Sequence, residues 1–250
     1  MAKKIQDVFQ RYEKKYVLDA NLAKELEVRL MPFVKPDSYG IYEIANLYFD
    51  TDDYSIIRAS IEKPVVYKEK LRLRCYGIPK RDDKVFLELK KKFNDVVYKR
   101  RVPIILADAE KYLTSGIRPA YADQQIINEI DWFINMYHPA TKAFIAYDRA
   151  AFFSKEAKDL RITFDRNIRW RSSQLDLTKG NWGFPILDSN KVLMEVKFLE
   201  TMPLWLSCLL SEMEIYGSSF SKYGTCYQEH LLAERFTTKN SLSKGRILYA

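Results

Sequence analysis

The chain has 250 residues, 47% of them apolar, enough to bury a full core, so one large domain is expected. A formal net charge of +8 and a pI near 9.2 favour anionic partners: nucleic acid, phosphate compounds or an acidic membrane surface. Three scattered cysteines with no CxxC argue against a disulfide framework, and no apolar run is long enough for export or for a membrane span, so a soluble cytoplasmic protein is predicted.

In chain order, "RYEKKYVL" (Arg11–Leu18) reads as a first strand with imperfect alternation. In "DANLAKELEVRLMPFV" the period changes, and Leu22, Leu26 and Leu30 predict a helix capped by Asp19 or Asn21. "YEIANLYFDT" (Tyr42–Thr51) returns to strand character. Three charged strands are predicted next: Tyr67–Tyr76, Val85–Phe93 and Asp95–Ile104. The short connections "GIPKRDD" and "FND" imply an antiparallel meander.

Asp108–Leu113 and Asp123–Tyr137 read as helices, the second with Ile126, Ile130, Phe133, Ile134 and Tyr137 on one apolar face. "TKAFIAYDRAAF", "LRITFDRNIRW" and Val192–Leu199 read as strands. Pro203 suits a first helical turn, Leu206, Leu209, Leu210 and Met213 form the stripe behind it, and Gly217 is the expected stop. "SKYGTCYQEHLL" predicts a last short helix, and the polar tail from Thr237 is expected to be loosely held. Parallel β-α-β alternation is absent. An α+β chain with a large antiparallel sheet, curled or closed, fits the order.

The strands carry charge on one parity. Lys70, Arg72 and Arg74 share a face, with Leu71, Leu73 and Cys75 opposite. Glu88, Lys90 and Lys92 alternate with leucines. Lys99 and Arg101 share a parity with Arg100 opposite, and Glu195 and Lys197 alternate with Met194, Val196 and Phe198. Arg161 and Asp165 flank Thr163, and Arg11, Glu13 and Lys15 repeat the pattern near the start. The plain alternative is a solvated outer face. Against it, like charges on neighbouring strands repel unless an anion lies between them, and if the sheet closes, the charged face is an interior that must hold water and a polyanion. Arginine suits phosphate through its two-pronged fork. The glutamates either pair with these cations or hold Mg²⁺ or Mn²⁺, with Glu195 as first choice of ligand.

Other chemistry is set aside. GxxxxGK[ST], GxSxG and HExxH are absent, and no zinc-finger spacing supports a nucleic-acid module. His138 and His230 are lone histidines with core or surface roles. The turn "DTDDY" explains Asp52 and Asp53 without a metal. The tyrosines could stack on bases, but at strand spacing they read as core or rim, and Trp132, Trp170, Trp182 and Trp205 read as packing residues.

"YEKKYVL", "NLYFDT", "KLRLRCY", "VFLELKKK", "YKRR", "AYDR", "LRITFD", "LMEVKF" and "FSKYG" occur in that order. The series resembles a VTC domain, the polyphosphate polymerase domain of the vacuolar transporter chaperone. More broadly it is similar to the CYTH-like triphosphate tunnel metalloenzymes. The resemblance covers roughly Phe9–Leu232, giving a catalytic domain over 9–236 and a polar tail over 237–250. It implies an antiparallel closed β-barrel with flanking helices, the triphosphate tunnel fold.

It also implies transfer of the γ-phosphate of ATP to orthophosphate or polyphosphate, with Mn²⁺ or Mg²⁺ as cofactor. By the same resemblance, Arg72, Arg74, Arg149 and Arg161 hold phosphates, and Lys90, Lys197 and Lys222 align the chain end. Lys15, Lys99 and Arg101 are further substrate-binding candidates. Glu195 binds metal, with Glu13 and Glu88 as further candidate ligands. Arg11 stands where tunnel hydrolases carry the first glutamate of ExExK, which puts a second metal in doubt. The alternatives are a tripolyphosphatase or nucleoside triphosphatase of the same fold, a cyclase, and a non-catalytic polyphosphate binder. Nucleic acid is not an expected partner, no transmembrane segment is expected, and a membrane partner stays open.

Overall fold

Strand alternation with one apolar parity needs a partner layer for that parity, and here the partner is a set of short helices. The structure is a computed structural model that describes residues 8–9, 12–62, 66–94, 96–157 and 159–234; Arg11 and the tail from Thr237 lie outside them.

The elements in order are β1 (Val8–Phe9), β2 (Tyr12–Asp19), α1 (Ala20–Leu30), β3 (Val34–Asp50), α2 (Ser55–Ile61), β4 (Tyr67–Tyr76), β5 (Lys84–Phe93) and β6 (Val96–Ile105). They are followed by α3 (Leu106–Ser115), α4 (Gln124–Tyr137), β7 (Ala140–Ser154), β8 (Arg161–Arg171), β9 (Phe184–Pro185), β10 (Lys191–Phe198), α5 (Leu204–Glu212) and α6 (Lys222–Cys226), which runs into a π-helical turn, Tyr227–Leu231.

All the strands join one antiparallel sheet in the order β1-β6-β5-β4-β3-β7-β8-β10-β2, with β9 paired to β8. This corrects the closed barrel. The hydrogen-bonded path runs from one edge to another, and among the described residues β2 pairs with β10 alone. The sheet curls without sealing. Phe9 ends one edge strand and Tyr12 begins the other, so three residue steps of chain hold the two edges within about 11 Å there. A hydrogen-bonded ring needs strand number, tilt and shear to agree across the whole sheet, and no single strand's pattern contains that agreement.

The outer face carries two apolar cores. Leu71, Leu73, Val85, Leu87, Leu89 and Ile104 pack under α3 and α4 through Ala109, Tyr112, Ile127, Ile130 and Phe133. Tyr16, Ile162, Phe164, Val192, Met194 and Val196 pack under α1 and α5 through Leu26, Leu30, Leu206 and Leu210. Each fully buried leucine contributes about 1.5–3 kcal/mol relative to exposure. A third core lies on the inner face at one end of the curl. There Tyr48, Ile145, Tyr147 and Leu193 meet Tyr223, Cys226, Tyr227 and Leu231. β7 is therefore buried on both faces along most of its length.

Several local expectations change. β3 begins at Val34, eight residues before Tyr42, and a register shift between Pro36 and Ile41 absorbs "PDSYG". Pro203 stands just outside α5, and the helix stops at Glu212. Glu214 takes a left-handed φ of 53°, so the chain turns before Gly217. Asp19 stands at the start of α1 without a side-chain cap, whereas Asp123 accepts from Gln125 N and Ile126 N at α4. The helix α2 was not expected. Buried Asp50 accepts from Ile56 N and Ile57 N at its start and from Tyr223 Oη at 3.0 Å, tying it to α6. Trp170 is buried and Trp205 stacks on Phe33, but Trp132 and Trp182 are substantially exposed. No helix of the described residues is long and apolar enough to cross a membrane.

Candidate active site

The cross-strand register carries the charged parity from strand to strand. Arg74 pairs with Asn46 and Phe86, Arg72 with Tyr48 and Glu88, Lys90 with Lys70 and Lys99, and Glu195 with Lys15. Because the sheet curls toward that side, these residues converge on one cavity of about 450 Å³. Twelve predicted site residues line it: Glu13, Lys15, Arg72, Arg74, Lys90, Lys99, Arg101, Arg149, Arg161, Glu195, Lys197 and Lys222. Glu88 lies directly behind them, and Arg100 faces outward to Glu129.

Three carboxylate clusters hold the cations in place. Glu88, 1% exposed, receives Arg72 at 2.7 Å, Lys99 at 2.8 Å, Arg101 at 3.3 Å and Arg74 at 3.8 Å. Burial pushes its carboxyl up, but Arg72, Arg74 and Lys99 outweigh burial and hold it far below the usual range. Arg74 also donates to Asn46 Oδ1 at 2.9 Å and Tyr147 Oη at 3.2 Å, and Arg72 donates to Tyr48 Oη at 3.2 Å.

Asp165 is fully buried, accepts both prongs of Arg149 at 2.6 and 2.7 Å, and pairs with Lys222 at 2.6 Å. Burial alone would raise its carboxyl; Lys222 and Arg149 bring it below its ordinary value. Lys222 is lowered by burial and raised more strongly by Asp165 and Glu195, so it stays protonated. Tyr147 lies under Lys222 and beside Arg74 and Arg149. Burial raises its phenol, and those cations pull it below the ordinary value.

The third cluster is looser. Glu13 meets Lys15 at 3.3 Å, Lys197 at 3.6 Å and Lys90 at 3.7 Å. Glu195 meets Lys222 at 3.2 Å, Arg149 at 3.6 Å, Lys197 at 3.7 Å and Lys15 at 3.9 Å. Burial opposes ionisation of Glu13, but Lys197 and Lys90 bring it down to about 2. Glu195 is likewise held well below its ordinary value, against burial, by Lys222, Lys197, Lys15 and Arg149. Arg161 stands further out, 3.8 Å from Asp37 and donating to Tyr42 Oη at 3.2 Å.

Sequence reasoning left out Lys70, although it shares the Arg72 face. Its ammonium donates to Ser221 Oγ at 3.0 Å, and it is the lining cation that has no carboxylate within 4 Å among the described residues. Burial, then Lys15, Lys90, Lys68 and Arg72, push it down to about 7. Asp165 was left out as well. Its alternation with Arg161 showed its face, but the Arg149 and Lys222 it anchors come from β7 and α6. Eleven Lys and Arg side chains line the cavity against five carboxylates in ion-pair range, Asp37 included, a formal excess of six positive charges.

The donor set fits a divalent cation only in part. The described residues contain no group of three or more His, Cys, Asp or Glu able to hold a metal. Glu195 opposes ionisation of Glu13, but the surrounding cations outweigh it and both carboxylates stay anionic. Mg²⁺ and Mn²⁺ are commonly held by one or two carboxylates plus substrate phosphates, which matches this pair. Glu88 fits least, with cations already facing its carboxylate.

A model of the VTC domain matches residues 10–230. Among solved structures, a putative adenylate cyclase from Bacillus halodurans has TM-score 0.53 and 14% identity over 86% of this chain and 96% of that one. A putative adenylyl cyclase from Hippeastrum, described as having a dominant triphosphatase activity, has TM-score 0.51 and 18% identity over 84% of this chain and 92% of its own. At such identities the likeness is one of fold. No curated protein matches the chain.

Proposed function

The chain belongs to the VTC domain family, and from that premise we propose that it is a polyphosphate polymerase, moving the terminal phosphoryl group of ATP to a phosphate or polyphosphate acceptor. The observation that carries this is the excess of six positive charges on one cavity. A nucleoside triphosphate brings about four negative charges, so the surplus fits a second anion beside it. A hydrolase needs to hold one anion only.

The transfer forms a bond from an acceptor oxygen to the γ-phosphorus and breaks the bond from that phosphorus to the β,γ-bridging oxygen, releasing ADP. The acceptor is already anionic, so no protein base has to activate it. Glu13 near 2 and Glu195, held well below its ordinary value, would be poor bases for water. Catalysis here is alignment and charge neutralisation. Arg72 and Arg74, fixed by Glu88, would hold the triphosphate with Arg149. Lys15, Lys90 and Lys197 would draw the acceptor into line, with Lys222 closing the other side. Lys99, Arg101 and Arg161 would neutralise the flanks. A divalent ion, Mn²⁺ or Mg²⁺, held by Glu195 with Glu13, would supply further neutralisation of phosphoryl charge.

Incubation with ATP and Mn²⁺, resolving products by size, tests the reading. Polymer supports it. Free phosphate alone makes the chain a hydrolase, a cyclic nucleotide makes it a cyclase, and binding without turnover makes it a polyphosphate binder. Arg74→Ala should cost about 10²–10³ in turnover, as loss of a preorganised donor does, while circular dichroism shows the folded sheet intact. Unchanged polymer formation by that variant would remove Arg74 from the site.

A further inference from the structure

One mouth of the cavity is aromatic. Tyr76 continues the inward parity of β4 beyond Arg74, Phe86 lies across from Arg74 on β5, and Tyr42 faces inward from β3. Tyr39 adjoins Tyr42 at the outer end of the series. The rings touch in sequence: Tyr39–Tyr42 at 6.3 Å, Tyr42–Tyr76 at 6.0 Å and Tyr76–Phe86 at 5.9 Å, with interplanar angles of 77°, 55° and 80°. None of these contacts is a parallel stack, so the rings leave face area to a flat ligand. Tyr39 is 80% exposed and Tyr76 47%, an unusual placement for large rings beside a charged cavity. The Arg101 guanidinium covers one face of Phe86, 3.6 Å from its centroid, and so stands in the cavity lining in place of that face. The far end of the interior is filled by the third core and by Ser221, Lys222 and Tyr223.

Inward positions on one strand step by about 6.8 Å, so Arg74 and Arg72 follow in line behind Tyr76. A phosphate tail that reaches those guanidiniums through this mouth leaves its opposite end among the rings. We propose that the rim formed by Tyr39, Tyr42, Tyr76 and Phe86 is a nucleobase subsite that grips purines by stacking and does not read their edges. The inference rests on the phosphotransferase reading only for its donor. The second half follows from the kind of polar group at the rim. The Tyr42 and Tyr76 hydroxyls each accept from an arginine, Arg161 and Arg101, and like the Tyr39 hydroxyl each can turn to meet a donor or an acceptor, so none is fixed to one purine edge. Ring area then decides, which favours a purine over a pyrimidine and treats adenine and guanine alike.

Calorimetric titration of the whole chain with ATP, GTP, CTP and inorganic tripolyphosphate tests this without requiring turnover. ATP and GTP should bind within about threefold of each other and CTP more weakly. Tyr76→Ala should weaken ATP and GTP by about 5- to 150-fold, the loss of one base–aromatic stack, and leave tripolyphosphate within about twofold. Tyr76→Phe keeps the ring but loses the hydroxyl that Arg101 reaches, and should bind ATP like the parent. Equal weakening of ATP and tripolyphosphate by Tyr76→Ala would overturn the subsite, because the residue would then act through Arg101. So would strong discrimination between ATP and GTP, no effect of Tyr76→Ala on either, or a parent chain that binds neither ATP nor tripolyphosphate. A chain that binds as expected yet makes no polymer would instead refute the polymerase and keep the subsite.

Discussion

Glu88→Gln isolates the part of the site that the fold must maintain before any substrate arrives. Glu88 is buried beneath Arg72, Arg74, Lys99 and Arg101, and glutamine keeps its shape while removing its charge. Removing one partner from a buried ion pair costs about 3–5 kcal/mol. Lys99 and Arg101 keep side-chain exposures of 42% and 33% and can turn to water, which places the expected loss at the lower end, about 3 kcal/mol. For a chain of this size that lowers the melting temperature by about 6–12 °C.

The sign of the pH effect follows from the lowered folded-state value of Glu88. Its contribution is full above its unfolded value of 4.5 and is lost as pH falls toward the much lower folded value, so the acid limb of stability should flatten in the variant. The assay is thermal unfolding by circular dichroism with and without inorganic tripolyphosphate. Losing one negative charge strengthens the cavity's pull on a polyanion, so the ligand should recover more of the melting temperature in the variant than in the parent. A variant that melts within about 2 °C of the parent would refute the counter-ion role. Unchanged melting with a raised Mn²⁺ concentration for half-maximal turnover would make Glu88 a metal ligand instead.

Lys70, near 7 when the cavity is empty, should take up a proton as a polyanion binds. Tripolyphosphate affinity should therefore fall as pH rises through 7, and Lys70→Met should make that decline shallower; an identical slope by calorimetry would count against it. The decline should persist in part, because burial also lowers Lys90, and Lys99 to about 8, in each case despite a nearby carboxylate. Glu195→Gln should raise the Mn²⁺ concentration needed for half-maximal turnover by about tenfold or more, and an unshifted Mn²⁺ titration would remove Glu195 as a ligand. Gly183→Ala would place its Cβ 2.6 Å from the Trp170 carbonyl oxygen, backbone against backbone, and should cost about 1–3 kcal/mol in urea unfolding; a neutral effect would mean the β8–β9 contact yields easily.

Alternation with a period of two made much of the sheet legible. β4 spans Tyr67–Tyr76 as its pattern predicts, and β5 and β6 lie within one residue of their expected bounds. The same parity collected the cations that line the cavity, because a strand shows each side chain to one face or the other by its position alone. Elements with little or no pattern were missed. β1 and β9 have two residues each, and α2 is one short helix behind Asp50. Lys70 was visible on the Arg72 face, but its isolation from carboxylates depends on Glu13 and Glu88 turning to other partners.

The amino-acid order by itself thus determined which side of each strand is charged and that the chain carries an excess of positive charge, since both follow from local period and composition. Tertiary structure alone decided that the sheet curls without a hydrogen-bonded seam among the described residues, that Glu88 and Asp165 serve as buried counter-ions, and that tyrosines from β3 and β4 meet at one mouth. Those features depend on strand tilt and on residues far apart in the chain, and side-chain periodicity within one strand carries neither.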